Sequence, residues 1–325
     1  MIIPCISISD DLRTLLKSIK DQTEVKIEDI IVVVRDLSGT ESASIMSEIN
    51  FLKQTGNGRA EAINLGAKHA KGNVFVFIDE DCLPATDKWL MKLTRSFLES
   101  PDIEIVSGRI IVPDTSLIQA FIRSMNGVGT PDYGGEDFSV GSNFRSFSGT
   151  NLALRKLTYN NLGGFDENLI VGEDLDFCLR AFKKKISMKY SSDAVVYHLH
   201  RRNFFSLIRH AWKTGKGSRG FIKKYGFISN FLRGTAISVL SVLMTPLLVY
   251  LFWLSFQVHF QIIGIGLILL ILYACLTVGL MKKNKFNIRN ILFPSILALY
   301  GYVLGLGFLY QIICNGRGKN TVIMA

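Results

Sequence analysis

Residues 73–84 read NVFVFIDEDCLP, an unbroken apolar run that ends on Asp79, Glu80 and Asp81. A strand apolar on both faces is one covered by helices on both sides, so the run predicts a central strand of a parallel sheet. Ligands of open α/β sheets gather at the carboxyl ends of the strands, where these acids sit. Three neighbouring carboxylates raise each other's pKa and resist desolvation, so they stay ionised together only with a cation or ample water. A solvated acidic loop has the same look, and the rest of the chain has to decide.

The surrounding pattern alternates strand and helix. MIIPCISIS reads as a strand, and DDLRTLLKSIKDQ as a helix with Leu12, Leu15, Leu16 and Ile19 on one face behind an aspartate cap. IEDIIVVVRD and NFLKQ read as further strands, and GRAEAINLGAKHAKG as a helix closed by Gly72. Beyond the acidic cluster, IEIVSGRIIVP and RSFSGTNLALRK have strand character. Between them, GVGTPDYGGEDFSVGSN is a glycine-rich loop, and LGGFDENLIVGEDLDFCLRAFKKK turns into a helix near Glu173. Such alternation implies an α/β fold with a Rossmann-like, mostly parallel central sheet.

Charge divides the chain. Residues 1–193 carry 22 basic and 27 acidic side chains, whereas 194–325 carry 15 basic residues and no acid. Basic balance can serve nucleic acid, but here the cations flank long uncharged apolar runs, which suits anionic lipid and argues for a bilayer, with no nucleic acid, as partner. The runs 235–256, 260–281 and 291–314 each reach the roughly 20 apolar residues a span needs and contain no charge. Residues 204–232 mix aromatics with Lys and Arg, the composition of a basic amphipathic segment in the headgroup layer.

Three domains are therefore expected: 1–203 the α/β domain, 204–232 interfacial and 233–325 transmembrane. Lys282, Lys283, Lys285 and Arg289 place the second inter-span loop, and with it the front domain, on the cytoplasmic side. MIIPCISISDD lacks the basic region of a signal peptide, in keeping with that orientation. Cys5, Cys82, Cys178, Cys275 and Cys314 show no C-x-x-C spacing, so free thiols are expected.

Four stretches together resemble the family 2 glycosyltransferases of GT-A fold: the opening IIPCISISDDLRTLLKSIKDQT, GRAEAINLGAKHAKGNVFVFIDED leading into the Asp-x-Asp motif, SGTNLALRK with LGGFDENL, and GEDLDFCLRA. They fall in order over about 200 residues of the 325. The resemblance implies a donor side formed by Pro4, Asp36, Arg59, Asp79 and Glu80. It implies an acceptor side formed by Gly149, Thr150, Asn151 and Arg180, with Asp174 as general base assisted by Glu173. A divalent cation, Mg2+ or Mn2+, would be held by Asp79, Asp81 and His198. VVVRDLSGT departs from the family by having Arg35 where an acid is usual, which leaves the donor's base open.

These residue types suit the chemistry. A departing nucleoside diphosphate gathers negative charge that a hard cation on oxygen ligands stabilises, and displacement at the anomeric carbon needs a carboxylate within reach of the acceptor hydroxyl. A Glu-Asp pair in the first turn of a helix is kept ionised by the helix dipole. The expected function is inverting transfer of a single sugar from a nucleotide sugar to a membrane-associated acceptor, a polyprenyl phosphate or a lipid-linked saccharide. Processive synthases resemble one another in a Gln-x-x-Arg-Trp motif, and RHAWK at 209–213 has the wrong spacing and no glutamine. A catalytically silent scaffold that keeps the fold is the alternative from another class.

Overall fold

The computed structural model describes residues 1–36, 49–56, 58–124, 131–199, 203–226, 243–244, 250 and 293–315. They form two compact units, one of residues 1–115 and 125–200, the other of 116–124 and 201–325.

The first unit is built on one mixed sheet. Strands β1 (Ile2–Cys5), β2 (Ile31–Val34), β3 (Asn50–Lys53) and β4 (Val74–Ile78) make its parallel half in the order β3-β2-β1-β4. Past β4 come β8 (Asn151–Arg155), antiparallel to its neighbours, then β6 (Ile105–Ile111), β9 (Met188–His198) and the short β5 (Cys82–Pro84). A further short strand, β7 (Phe138–Ser139), pairs with β9.

Side-chain alternation on the parallel strands feeds two cores. Ile3, Val32, Val34, Val76 and Ile78 pack with Leu12, Leu15, Leu16 and Ile19 of α1 (Asp10–Lys20) and with Trp89, Leu90 and Leu93 of α3 (Trp89–Thr94). Ile2, Ile31, Val33, Phe75 and Phe77 face the other way. They pack with Ala60 and Ile63 of α2 (Arg59–His69), Tyr159 of α6 (Lys156–Leu162) and Phe177 of α7 (Glu173–Lys183). The central strand expected at 74–78 is thus apolar throughout because each face meets a helix layer. The cap of α1 is Ser9, whose hydroxyl accepts the Leu12 N–H at 3.2 Å, and not an aspartate. Asp10 and Asp11 stand one and two positions further in, where they favour the helix dipole. Helix α4 (Ser96–Glu99) completes the turn toward β6.

The second unit contains α5 (Leu117–Ser124), α8 (Phe204–Tyr225) and α9 (Phe293–Asn315). Helix α9 carries the one described stretch long and apolar enough to cross a membrane, 296–314. The other two expected spans, 235–256 and 260–281, lie outside the described residues apart from Leu243, Met244 and Tyr250. Helix α8, expected as an interfacial element, packs along α9. His210 Nδ1 lies 3.0 Å from the Tyr300 hydroxyl, Trp212 meets the Tyr310 ring at 5.4 Å, and Arg219 Nη1 donates to the Gln311 carbonyl at 3.2 Å. Partner numbers rise together, so the two helices run parallel. Their approach depends on glycine: a Cβ on Gly215 would overlap the Leu304 carbonyl, and one on Gly307 would lie 2.5 Å from the Trp212 carbonyl.

Candidate active site

Strand β4 ends at Ile78, and its antiparallel register with β8 pairs Ile78 with Asn151. The next residue on each strand therefore brings Asp79 beside Thr150, whose hydroxyl donates to Asp79 Oδ2 at 2.8 Å. Arg59, the first residue of α2, comes from the other side. Its Nε and Nη2 donate to Asp79 Oδ1 at 2.9 and 2.7 Å, and its Nη1 lies 3.4 Å from Glu173 Oε1 at the start of α7. The guanidinium lies against the backbone at Gly149, where a Cβ would stand 2.6 Å from Arg59 Nη1. The Gly149 N–H in turn donates to Asp174 Oδ2 at 3.4 Å, and Leu175 N–H to Asp174 Oδ1 at 2.8 Å. One arginine thus links the acids after β4 to those that open α7, across about 100 residues of sequence.

The electrostatics follow from burial and from Arg59. Burial opposes ionisation of Asp79, but the charges of Arg59 and His198 and the hydrogen bonds from Arg59 and Thr150 outweigh it and hold its pKa below the ordinary aspartate value. Glu173 goes the other way: burial, then the neighbouring Asp174, push it up to about 7 against the pull of Arg59. Asp174 is also raised, by burial, although Arg59 and the backbone N–H groups of Leu175 and Gly149 favour its charged form. A carboxylate with a raised pKa is a better proton acceptor than an ordinary aspartate, which is what a general base requires.

Glu80 turns toward β1. It accepts the thiol of Cys5 and the Ile6 N–H, the latter at 3.3 Å, and burial raises its pKa. The Asp36 N–H donates to the Ile6 carbonyl at 3.3 Å, so the peptide after β1 is held from β4 on one side and from β2 on the other. Asp36 and the Ile6 side chain are both exposed there, forming one ledge at the carboxyl ends of β1 and β2. Pro4 lies one residue inside β1, opposite Val33, and is half-buried.

Asp81 and His198 meet across the far edge of the sheet. Strand β5 pairs antiparallel with the end of β9 so that Cys82 stands opposite His198, and His198 Nε2 lies 3.2 Å from Asp81 Oδ1. The oxygen of Asp81, the sulfur of Cys82 and a ring nitrogen of His198 lie within 4.8 Å of one another, a donor set that can hold a divalent cation. Asp79, the other expected ligand, has its carboxylate engaged by Arg59 and Thr150.

Two expected acceptor-side residues are used by the fold itself. Asn151 is fully buried: its side-chain amide donates to the carbonyls of Arg109 and Ala194 at 3.0 and 2.8 Å and accepts the Trp89 indole N–H at 3.1 Å. It ties β8 to the point where β6 and β9 shift register. Arg180 pairs with the buried Asp176 at 2.8 Å and donates to the carbonyls of Leu162 and Gly164, fastening the turn after α6 to α7. Side chains that sequence reasoning passed over are Cys5, which positions Glu80, and Cys82. A test for C-x-x-C spacing is blind to a cysteine whose partner stands across a strand pair, and the signal available for Cys82 was its place directly after Asp81.

Residues 2–233 match the family described as Glycosyltransferase like family 2. The chain belongs to that family. It is accordingly a nucleotide-sugar-dependent glycosyltransferase. The glycosyltransferase AglE of Haloferax volcanii is 22% identical over 231 residues, covering 67% of this chain and 71% of that protein. The pre-mycofactocin glycosyltransferase of Mycobacterium tuberculosis is 28% identical over 151 residues, 44% of this chain and 30% of that one. Among solved structures, the Pyrobaculum calidifontis mannosyltransferase PcManGT in complex with GDP-Man and Mn2+ superposes with a TM-score of 0.57 at 15% identity. That likeness covers 95% of this chain and 87% of the other and establishes the shared GT-A fold.

Proposed function

We propose that the protein is an inverting, metal-dependent transferase that moves one sugar from a nucleotide-sugar donor to a membrane-associated acceptor, a polyprenyl phosphate or a saccharide linked to one. The observation that carries this reading is the guanidinium of Arg59 set between Asp79 and Glu173, because it joins a donor-side and an acceptor-side acid in one site.

In this reading the ledge of Ile6 and Asp36 receives the nucleoside, and Arg59 lies where it can meet the diphosphate. Asp81 and His198, with Asp79 nearby, would hold a divalent cation, Mg2+ or Mn2+, whose charge would offset that growing on the leaving diphosphate. Asp174, steadied by two backbone N–H groups, takes the proton of the acceptor hydroxyl as that oxygen attacks the anomeric carbon. Glu173, 3.4 Å from Arg59 Nη1, orients the acceptor. Attack opposite the departing diphosphate inverts the anomeric centre.

The membrane part rests on the apolar helix α9 and on the absence of acids from 194–325 in the sequence. A catalytic domain joined covalently to such a helix works on acceptors held in the same bilayer, and the Lys and Arg residues at 282–289 favour the cytoplasmic face for it.

The test is turnover by full-length protein in detergent with Mn2+ or Mg2+, membrane lipid extract and a panel of nucleotide sugars. GDP-mannose comes first, because the PcManGT structure holds it. Release of nucleoside diphosphate together with an alkali-resistant, sugar-labelled lipid is expected. Donor hydrolysis without lipid product would remove the acceptor assignment, and equal rates with and without chelator would remove the metal.

A further inference from the structure

The sulfur of Cys82 stands in the same cluster as the Asp81 carboxylate and the His198 ring, all three ligand atoms lying within 4.8 Å of one another. Cross-strand pairing enforces this. Cys82 and His198 are directly opposed in the antiparallel β5–β9 ladder, so their side chains project to the same face, and Asp81 precedes Cys82 in the chain. Both Cys82 and His198 are buried, at 2% and 5% exposure, so their positions are set by packing. A four-coordinate ion with bonds of about 2.0 to 2.3 Å holds its donor atoms roughly 3.3 to 3.8 Å apart. The 3.2 Å between Asp81 Oδ1 and His198 Nε2 is close to such an edge, and the Cys82 sulfur lies within 4.8 Å of both.

An oxygen, nitrogen and sulfur set differs in kind from the all-oxygen shell that Mg2+ demands, and thiolate ligands favour softer ions. We propose that Cys82 is a metal ligand beside Asp81 and His198, and that its sulfur tunes the site toward zinc-like ions and away from Mg2+. A metal bound through this sulfur would displace the thiol proton. This rests on the metal-dependent reading above and assigns it a selectivity: Zn2+, Co2+ and Cd2+ bind more tightly than Mg2+.

Cobalt titration of the full-length protein in detergent, followed by near-ultraviolet and visible absorption, tests it without turnover. The wild-type protein is expected to develop a sulfur-to-cobalt charge-transfer band that Cys82→Ser lacks, whereas Cys5→Ser keeps it. Zn2+ affinity of Cys82→Ser should fall at least about tenfold with Mg2+ affinity unchanged. Cobalt bound by the wild type with no charge-transfer band overturns the role of Cys82 and leaves the metal site standing. No binding of Co2+, Mn2+ or Mg2+ overturns both. Where Cys82→Ser fails to fold, Cys82→Ala is read in its place, because a wild-type band alone does not tell Cys82 from Cys178, Cys275 or Cys314.

Discussion

Arg59 Nη2 and Asp79 Oδ1 stand 2.7 Å apart, with the side chains 23% and 19% exposed, and the same guanidinium reaches Glu173. A buried carboxylate left without its cation is far more costly than the pair is stabilising. Arg59→Ala should therefore lower the stability of the catalytic unit by about 3 kcal/mol or more, read by urea denaturation, and Asp79→Asn in the same background should recover part of the loss. Arg59→Lys keeps the charge but not the two-pronged contact, so it should fall between.

Glu173 gives a pH signature. Its pKa is about 7 in the folded protein against an ordinary 4.5, so between those values the unfolded chain has released a proton that the folded one retains. Stability then falls as pH rises from about 4.5 to about 7 and is level with respect to this group beyond that. Glu173→Gln should remove that slope in thermal midpoints measured across pH 4.5 to 8. Asp79 has the opposite sign: its pKa is lowered, so its contribution is present above the unfolded value and disappears as pH drops through the folded one.

Asp174→Asn keeps the shape of the first turn of α7 and removes the proposed proton acceptor. Turnover should drop on the order of 10²- to 10⁴-fold, while donor affinity by calorimetry with nucleoside diphosphate and Mn2+ stays within a factor of a few. Asp81→Ala should lose both turnover and metal-dependent donor binding.

Asn151→Ala leaves the Trp89 indole N–H and two carbonyls buried without their partner. Each such group costs about 1 to 3 kcal/mol, so the variant should be destabilised by about 3 kcal/mol or more in chemical denaturation. Tryptophan fluorescence should report the loosened Trp89 before global unfolding.

Gly215→Val places a branched side chain where the α9 backbone passes. Overpacking of this kind costs about 1 to 3 kcal/mol, and the detergent-solubilised protein should show a lower thermal midpoint. Val at exposed Lys213, two residues from Gly215 and so on the opposite side of the helix, should leave it unchanged.

The alternation of strands and helices was legible because each element carries its own periodicity: Leu12, Leu15, Leu16 and Ile19 mark one helix face, and Val74–Ile78 a strand covered on both sides. Asp79, Asp81, Glu173 and Asp174 could be singled out from local motifs. Asn151 and Arg180 could not be placed, since whether a polar side chain faces a substrate or the core depends on strands and turns distant in sequence. Asn151 meets Trp89 and Ala194, 62 and 43 residues away.

The sequence by itself determined the family, the α/β class, the acids after the fourth strand and the charge-free apolar runs, because composition, period and short motifs are local properties of a chain. Only the tertiary structure decided that Arg59 joins Asp79 to Glu173, that Glu80 faces Cys5 while Asp81 faces His198 and Cys82, and that α8 lies along α9. Those relationships come from strand register and helix docking, where a shift of one residue turns a side chain to the opposite face, and no local pattern records it.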